Sequence, residues 1–584
     1  MTAVYPIAIT IGLIAAWLGY QWLNQVNVQK LHQYRQEISD ARPRFHETIN
    51  PRFGDPKIVK ISDKVYSTSG YGISNSVFIV APEGLIVLDT FESKKTANTV
   101  IQEIKNITKK PLKAIIYSHF HFDHIGGAQA FLEAYPNSTV DVWSHPLLME
   151  NVMFDFTIVN TAIHRRSVRM FGPLLNDFNA NLKMFHHVSH TNRRGYVLPT
   201  KFTKEAVDEI TMAGLPLTLI HMPGETSDHL GVWMPQDKIL FIGDNLYKAF
   251  PNLYTIRGTK FRDYMSWIDS LDLIRALKPE HLLLGHTKPL RGAAFIYETI
   301  TLYRDAIKFI HDQTVRHLNT GMHPAEIAAT LKLPEIMATS PFLTEVYGTI
   351  EWSVKGLSEG YMGWFSGDPL DLNPLTPTAR GERLVRLAGD ESKLFNVAEE
   401  ALKNGDSQWA LELADALIRN NAVNYKDAKE LKIKALMQLA NSQVSVNGFH
   451  YYMTCAYEEM DKVDTKPPPN FREEVVEVLS PKQLFQLLAT RLKVEHCGDI
   501  RKTVLFTFTD TKVKIGLTVR NGIVDVIASP ESEKADIKVT TTEKIWRELS
   551  AKTRNQLTLA FDNEFKVEGG LLAFKSFMDC FDQE

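Results

Sequence analysis

Hydrophobic positions change period several times along the chain, and each change predicts a different kind of element. From Ile58 apolar residues alternate over short runs (KVYSTSG, SNSVFIVAPEG, LIVLDTF), which predicts hairpin strands with a turn at Pro82, Glu83 and Gly84. Residues 93–109 switch to helical spacing, and Ala114, Ile115, Ile116 and Tyr117 then form a β-branched run that reads as a buried strand. Strand, helix, strand in that order predicts an α/β architecture. In 222–244 the runs LGVWM and KILFIG read as strands about a PQD turn. Farther on, residues 393–440 carry apolar and Ala positions at helical spacing, broken by Asn404, Gly405 and Asp406. That predicts a helical hairpin, roughly one tetratricopeptide-like unit, which cannot bury its face alone. After the Pro-rich break TKPPPNF, the runs KTVLFTFTD, KVKIGLTVRNG, IVDVIAS and DIKVTTT predict a meander with Asn521–Gly522 as one turn. A helix, TEKIWRELSA, and an amphipathic stretch, GGLLAFKSFMDCF, close the chain.

The first residues have no such alternation. Val4 to Leu23 is nearly all apolar, interrupted strongly only by Gln21, and is about long enough to span a bilayer. The first basic residue is Lys30 and no Ala-x-Ala follows, so residues 1–25 predict a single-pass membrane anchor in preference to a cleaved signal peptide. This implies a membrane localisation. Lys30, Arg35, Arg42 and Arg44 behind the run favour a cytoplasmic body. Large folded domains override that bias, so the cytoplasmic and the periplasmic or secretory sides both stay open. Residues 26–55 are polar, contain Pro43 and Pro51, and read as a linker.

Composition narrows the picture. At 584 residues the chain is too long for one core, and its length predicts about three or four domains. It is 44% hydrophobic and 23% charged, with a formal net charge of −3. The lack of a basic excess argues against a nucleic-acid partner. Cys455, Cys497 and Cys580 are widely spaced, which predicts structural thiols and neither a zinc pattern nor a disulfide framework.

The candidate chemistry sits at 113–127, KAIIYSHFHFDHIGG. His119, His121, Asp123 and His124 follow the predicted strand, and none of them buries cheaply without a partner. A divalent metal partners all four. In an extended segment His119 and His121 point the same way and reach one ion, whereas Asp123 and His124 fall beyond the strand end and suit a second. Between 145 and 215 the chain is rich in His, Phe and Met, but His164, His186, His187 and His190 lack ligand spacing to the main motif. That stretch predicts a pocket wall or lid in preference to a third metal site.

The motif His-x-His-x-Asp-His followed by Gly-Gly resembles that of the metallo-β-lactamase superfamily. The resemblance implies an αβ/βα sandwich with a dinuclear zinc site, and leaves the substrate open. It places Glu225, after Pro223–Gly224, where the commonest members have a histidine ligand; His229 is an alternative, though usually a supporting residue there. It further implies Asp244 as the bridging carboxylate and His286 as the last ligand. The implied set is His119, His121 and Glu225 around one zinc, Asp123, His124 and His286 around the other, and Asp244 between them. A hydroxide bridging the metals, supported by Asp123 and Asp244, would be the nucleophile.

Three features resemble the alkyl sulfatases in particular: Glu225 itself, the segment PNLYTIRG (251–258), and YGTIEWSVKG with YMGWFSGDPLDLNPLTP (347–377). The resemblance implies a catalytic domain over 56–350, a helical dimerisation domain over 351–468 and an α+β sterol-carrier-like domain over 469–584. That last domain would carry an apolar groove, or else be a packing module. Arg257 suits a sulfate group because its planar fork donates paired hydrogen bonds, and Asn252 adds an amide donor; a surface ion pair is the plain alternative for Arg257. The match has departures: Asp244 where alkyl sulfatases usually have Glu, GHTKP around His286, and Glu351–Trp352–Ser353 where many relatives have Asn-His-Asn. The reading is a zinc-dependent hydrolase of a small amphiphilic sulfate ester such as dodecyl sulfate, forming a homodimer. The rivals are a lactonase, thioesterase or phosphodiesterase on the same fold, and a lipid-binding scaffold with a vestigial metal site.

Overall fold

The computed structural model describes residues 56–175, 195–421, 425–467, 479–532, 534–555 and 562–582, with the single positions 476 and 559. Two sheets form its centre. The first has seven strands in sequence order: β1 (Lys57–Lys60), β2 (Val65–Ser69), β3 (Val77–Ala81), β4 (Gly84–Leu88), β5 (Leu112–Ile116), β6 (Asp141–Ser144) and β7 (Lys201–Phe202). β1 to β4 pair antiparallel, and the remaining pairs are parallel. The turn expected at Pro82 to Gly84 joins β3 to β4, with Ala81 opposite Gly84. The helix expected over 93–109 runs from Lys94 to Ile107, and the Ser93 side chain caps it by accepting from the Thr96 amide.

The second sheet contains β8 (Val207–Met212), β9 (Leu215–His221), β10 (Leu230–Met234), β11 (Ile239–Phe241), β12 (His281–Leu283) and β13 (Leu290–Arg291), in the order β13-β12-β11-β10-β9-β8. β11 and β12 are its parallel pair.

Alternation along the strands decides which layer each side chain enters. Ile86, Leu88, Ala114 and Ile116 face Leu219, Val232, Ile239 and Phe241 of the other sheet in one buried cluster. Their neighbours Leu85, Val87, Ile115 and Tyr117 face outward onto Val100, Ile101 and Ile104 of the Lys94–Ile107 helix. On the far side, Ile220, Leu240 and Leu282 pack against Trp267, Ile268 and Leu271 of the helix Tyr264–Leu277, and Ile300 and Ile307 of the helix Ala293–Asn319. The layers are therefore helix, sheet, sheet, helix, the expected αβ/βα sandwich.

Residues 375–462 form a compact helical unit of their own. The helices Glu391–Lys403 and Ser407–Arg419 make the expected hairpin, with Gly405 at φ +82° in its turn. The helix Tyr425–Ser442 adds the partner face that a single hairpin lacks, burying Ala428, Leu431 and Ala435 against Ala410, Leu413 and Leu417.

The C-terminal α+β region belongs to the same compact unit as the sandwich. Its strands are β14 (Lys502–Phe508), β15 (Lys514–Arg520), β16 (Ile523–Ala528), β17 (Ile537–Thr541) and β18 (Lys566–Glu568), in the order β16-β15-β14-β17-β18. The Asn521–Gly522 turn is present, with φ +53° and +73°. The expected meander, however, ends at β16, because β17 returns to pair in parallel with β14. Alternation assigns faces and leaves strand partners open, which is why the crossover escaped the sequence. Phe485, Phe506, Trp546 and Phe574 fill the core of this region, with Phe485 and Phe506 ring centroids 5.0 Å and 4.7 Å from Trp546.

Two expectations are corrected. Cys497 and Cys580 are joined in a disulfide, their Cα atoms 5.8 Å apart; a separation of 83 residues gives no spacing signal, so the pairing exists only in the fold. The membrane anchor, with the membrane partner and membrane localisation drawn from it, is also withdrawn. Among the described residues no helix is long and apolar enough to cross a membrane, and the run 4–23 itself lies outside them.

Candidate metal centre

Five strands deliver side chains to one edge of the sandwich. β4 leads into Asp89, β5 into Ser118 to His124, β9 into Glu225, β11 into Asp244 and β12 into His286. His119 and His121 precede the short helix Phe122–Ile125, which carries Asp123 and His124. His119 Nε2 and His121 Nδ1 lie 2.9 Å apart, so the two rings converge as an extended segment requires.

The seven residues expected as ligands come together in overlapping groups. Ligand atoms of His119, His124 and Asp244 lie within 4.8 Å of one another; so do those of Asp123, His124 and His286, and those of His121, Glu225 and Asp244. His286 Nε2 is 2.9 Å from Asp244 Oδ2 and 3.3 Å from Asp123 Oδ2. His124 Nε2 is 3.3 Å from Asp123 Oδ2 and 3.4 Å from Asp244 Oδ2. Gly285 permits this closeness, because a Cβ there would run into the Asp244 carboxylate and the His124 ring. His124 Nε2, Glu225 Oε2 and Asp244 Oδ1 are buried with no hydrogen-bond partner. Orphaned nitrogen and carboxylate donors converging on one spot fit divalent metal ions of the zinc type.

Hydrogen bonds behind the rings set their tautomers. His124 Nδ1 lies 2.6 Å from Asp89 Oδ2, and His286 Nδ1 lies 2.9 Å from the Ile73 carbonyl. Both partners are acceptors, so each Nδ1 carries a proton and each Nε2 is the nitrogen turned toward the carboxylates, where it would ligate a metal that displaces its proton. Ser118 Oγ donates to Asp89 at 2.7 Å and thus accepts from His119 Nδ1 at 2.9 Å, which frees His119 Nε2 in the same way. His229 is no ligand in this arrangement. Its Nε2 accepts from the Asp244 amide at 3.0 Å, and burial pushes the ring down to about 3, so it stays neutral.

Charge is unevenly spread. Burial opposes protonation of His286, yet Asp244 and Asp123 push it up to about 10. The same opposition from burial is overcome at His124, which Asp244, Asp123 and Asp89 raise. His121 goes the other way, held low by burial and then by Arg257 and Arg262. Burial pushes the Glu225 carboxyl up to about 7, against the pull of Arg262.

Beside His121 lies the loop that carries the expected sulfate residues. Arg257 Nη2 is 2.9 Å from His121 Nε2, and Nη1 donates to Asp155 Oδ2 at 3.2 Å and to the Gly258 carbonyl at 3.3 Å. The ion pair with Asp155 is an enclosed one, the two side chains being 12% and 6% exposed. Asn252 is buried: its backbone N–H donates to Tyr247 Oη at 2.6 Å, and its side-chain Oδ1 has no partner.

The stretch expected as a pocket wall packs on this loop. A π-helical turn, Phe154–Ile158, follows the helix Leu147–Met153 and carries Asp155; such turns often occur at functional sites. From the helix Asn160–Phe171, Arg166 Nε donates to the Ile256 carbonyl at 3.0 Å and Met170 Sδ accepts from Thr255 Oγ1 at 3.3 Å. Met153 packs against the C-terminal aromatic core, so one helix touches that core and leads directly into the Asp155 turn. His164 lies on the Asn160–Phe171 helix, whereas His186, His187 and His190 lie outside the described residues.

Three family models match the chain: the metallo-beta-lactamase superfamily over 69–286, alkyl sulfatase dimerisation over 323–462, and the alkyl sulfatase C-terminal domain over 470–584. A linear primary-alkylsulfatase of a Pseudomonas strain is 34% identical over 526 residues, covering 87% of this chain and 98% of that protein. The chain belongs to the alkyl sulfatase family. An alkyl/aryl-sulfatase of Saccharomyces cerevisiae is 27% identical over 90% of this chain and 82% of its own length. The solved structure of the stereoselective inverting sec-alkylsulfatase Pisa1 from Pseudomonas superposes with a TM-score of 0.80 at 25% identity, covering 91% of this chain and 85% of that one. Membership makes the protein a sulfuric ester hydrolase of metallo-β-lactamase fold and implies metal binding.

Asp89, Asp155 and Arg262 stand at this site without having been picked out from the sequence. Asp89 had a signal: it ends a strand, as the ligands do. Arg262, buried and 2.8 Å from Glu225 through Nη1, had none, since TKFRD reads as an ordinary polar loop.

Proposed function

We propose that the enzyme uses two zinc ions to hydrolyse linear primary alkyl sulfates, such as dodecyl sulfate, to the alcohol and inorganic sulfate. The observation that carries this reading is Arg257, whose guanidinium lies 2.9 Å from the ring of a candidate ligand, beside the converging donors. The preference for linear primary esters is supported by the relative of that name, which the chain matches over almost its whole length.

Bound zinc would make a water nucleophilic near neutral pH. His119, His121 and Glu225 would hold one ion, Asp123, His124 and His286 the other, and Asp244 would touch both. Arg257, with Asn252 from the same loop, would hold the sulfate group and orient the ester toward the nucleophile. The Asp155 contact orients the Arg257 fork, while offsetting part of its charge. A homodimer is part of the proposal, supported by the dimerisation match over 323–462 and by the exposed apolar side chains Met362, Trp364 and Leu370 within it.

The test is inorganic sulfate release from dodecyl sulfate, run beside a secondary alkyl sulfate, a thioester and a lactone, with zinc counted by elemental analysis. Dodecyl sulfate should be the best substrate, and each chain should carry two zinc ions. Thioester or lactone turnover without sulfate release would overturn the substrate, and one ion per active chain would overturn the dinuclear centre.

A further inference from the structure

The pairing behind Glu225 gives this carboxylate a property that the other candidate ligands lack. Glu225 and Arg262 have side chains that are each 2% exposed, and Arg262 Nη1 donates to Glu225 Oε1 at 2.8 Å. The same Nη1 donates to the Asn252 carbonyl, so Arg262 also reaches the start of the loop that carries Arg257. Glu225 Oε2 is buried with no hydrogen-bond partner, and Glu225 stands with His121 and Asp244 among the converging donors. One oxygen of the carboxylate is therefore engaged and the other is free. From the main chain, the Glu225 amide donates to Asn245 Oδ1, and the Asn245 side-chain amide donates to the Met222 carbonyl.

A buried ion pair is a weak way to stabilise a fold, because apolar side chains of similar volume often do as well or better. Its use here lies elsewhere. Opposite the Arg262 cation, Glu225 offers one oxygen donor and carries no net charge as a pair. With its second oxygen occupied, it can bind a metal only through Oε2, so the guanidinium also fixes the direction of approach.

We infer that Arg262 is a positioning residue for the metal centre, converting Glu225 into a one-oxygen, charge-compensated ligand equivalent to a neutral histidine. Its substitution should weaken one ion and spare the other. A histidine at 225 would need no counter-charge, so it should restore what the loss of Arg262 removes. The inference rests on the dinuclear metal reading above and is independent of the substrate.

The test uses the full chain, stripped of metal by a chelator and titrated with Zn²⁺ against a competing indicator, and separately with Co²⁺ followed by its visible absorption. Arg262→Leu should weaken one of the two ions about 10- to 100-fold and alter the cobalt bands of that ion alone. The double variant Glu225→His/Arg262→Leu should bind both ions again, with the affinity of the weakened ion recovered to within about threefold of the parent, against the loss of about 10- to 100-fold in the single variant. Thermal melting of each metal-free variant separates folding from ligation. Unchanged affinity in Arg262→Leu overturns the inference, and so does a double variant that binds no better than the single one. Should Arg262→Leu fail to fold, the double variant decides alone: two-ion binding upholds the compensation, and its failure to bind two ions overturns it. A wild-type protein that binds two ions without releasing sulfate would overturn the substrate reading and leave this inference standing.

Discussion

Apart from His119, whose ring leans on Ser118, the two proposed halves of the metal centre are backed in opposite ways. Behind Asp123, His124 and His286 stand acceptors: Asp89 on His124 and the Ile73 carbonyl on His286. Behind His121 and Glu225 stand cations, Arg257 on the imidazole and Arg262 on the carboxylate. Acceptors make an imidazole more basic and a better ligand, so on the proposed reading the first of these halves holds its ion tightly. Guanidinium groups draw electron density away and attract anions, so on the proposed reading the other half receives the negatively charged substrate. Under the proposal, tight metal binding and sulfate capture thus fall to different groups of residues, and each group can be broken separately.

The largest effect is expected on the cationic side. Arg257→Lys keeps the charge and loses the planar fork, so kcat/KM on an alkyl sulfate should fall about 100-fold, or roughly 2.7 kcal/mol. Zinc content should not change, because Arg257 lies behind a ligand and is not one. A short uncharged ester, if it is turned over, should be nearly unaffected. Equal losses on both substrates, or loss of zinc, would mean that Arg257 maintains the shape of the site, and the division between the halves would fail.

On the acceptor side Asp89→Asn is the sharper probe. Asp89 sits at φ +58°, a left-handed conformation that asparagine tolerates better than most residues, so the backbone should survive. The amide nitrogen cannot accept from His124 or from Ser118 Oγ, so the affinity for the ion assigned to His124 should fall about 30-fold, and that for the ion assigned to His119, which leans on Ser118, by less. Chelator competition on the two ions reads this directly. If both ions weaken equally, the halves share one support and the contrast drawn above is wrong.

Most of the centre was legible in the sequence because strand ends concentrate chemistry. His119 to His124 follow an apolar run of the right length, Asp244 and His286 also end such runs but took their roles from the resemblance, and the fold brings those ends to one edge. Glu225 was legible only through resemblance, since a lone Glu in a turn is otherwise unremarked. The supports were hidden for a different reason. Asp89, Asp155 and Arg262 act through partners 35, 102 and 37 residues away, and no local period encodes such distances. The π turn has no signature in a Phe- and His-rich stretch, and the parallel return of β17 is a matter of pairing, which alternation does not specify. The apolar N-terminal run misled in the opposite direction, because hydropathy without a described helix cannot establish a span.

The smallest and most selective effect is expected one step behind the cationic side, at Asp155. Its carboxylate touches Arg257 and none of the candidate ligands among the contacts of the described residues, so it acts only through the guanidinium. Burial raises this carboxyl above the ordinary range, while Arg257 pulls it back down. The clamp is therefore present at neutral pH and lost as pH falls, sooner than it would be for an exposed aspartate. Asp155→Asn imitates the protonated form: it keeps the size and one acceptor oxygen but removes the charge that aims the fork. About a tenfold loss of kcat/KM on alkyl sulfates should follow, about 1.4 kcal/mol, and any acid-side decline that this group causes should disappear from the pH profile. Combined with Arg257→Lys, the second substitution should add almost nothing, because residues that share one contact are not additive. A double variant worse than Arg257→Lys by the full tenfold would show that Asp155 reaches the reaction by another route. That route would run through the helix Leu147–Met153, whose last residue packs on the C-terminal aromatic core.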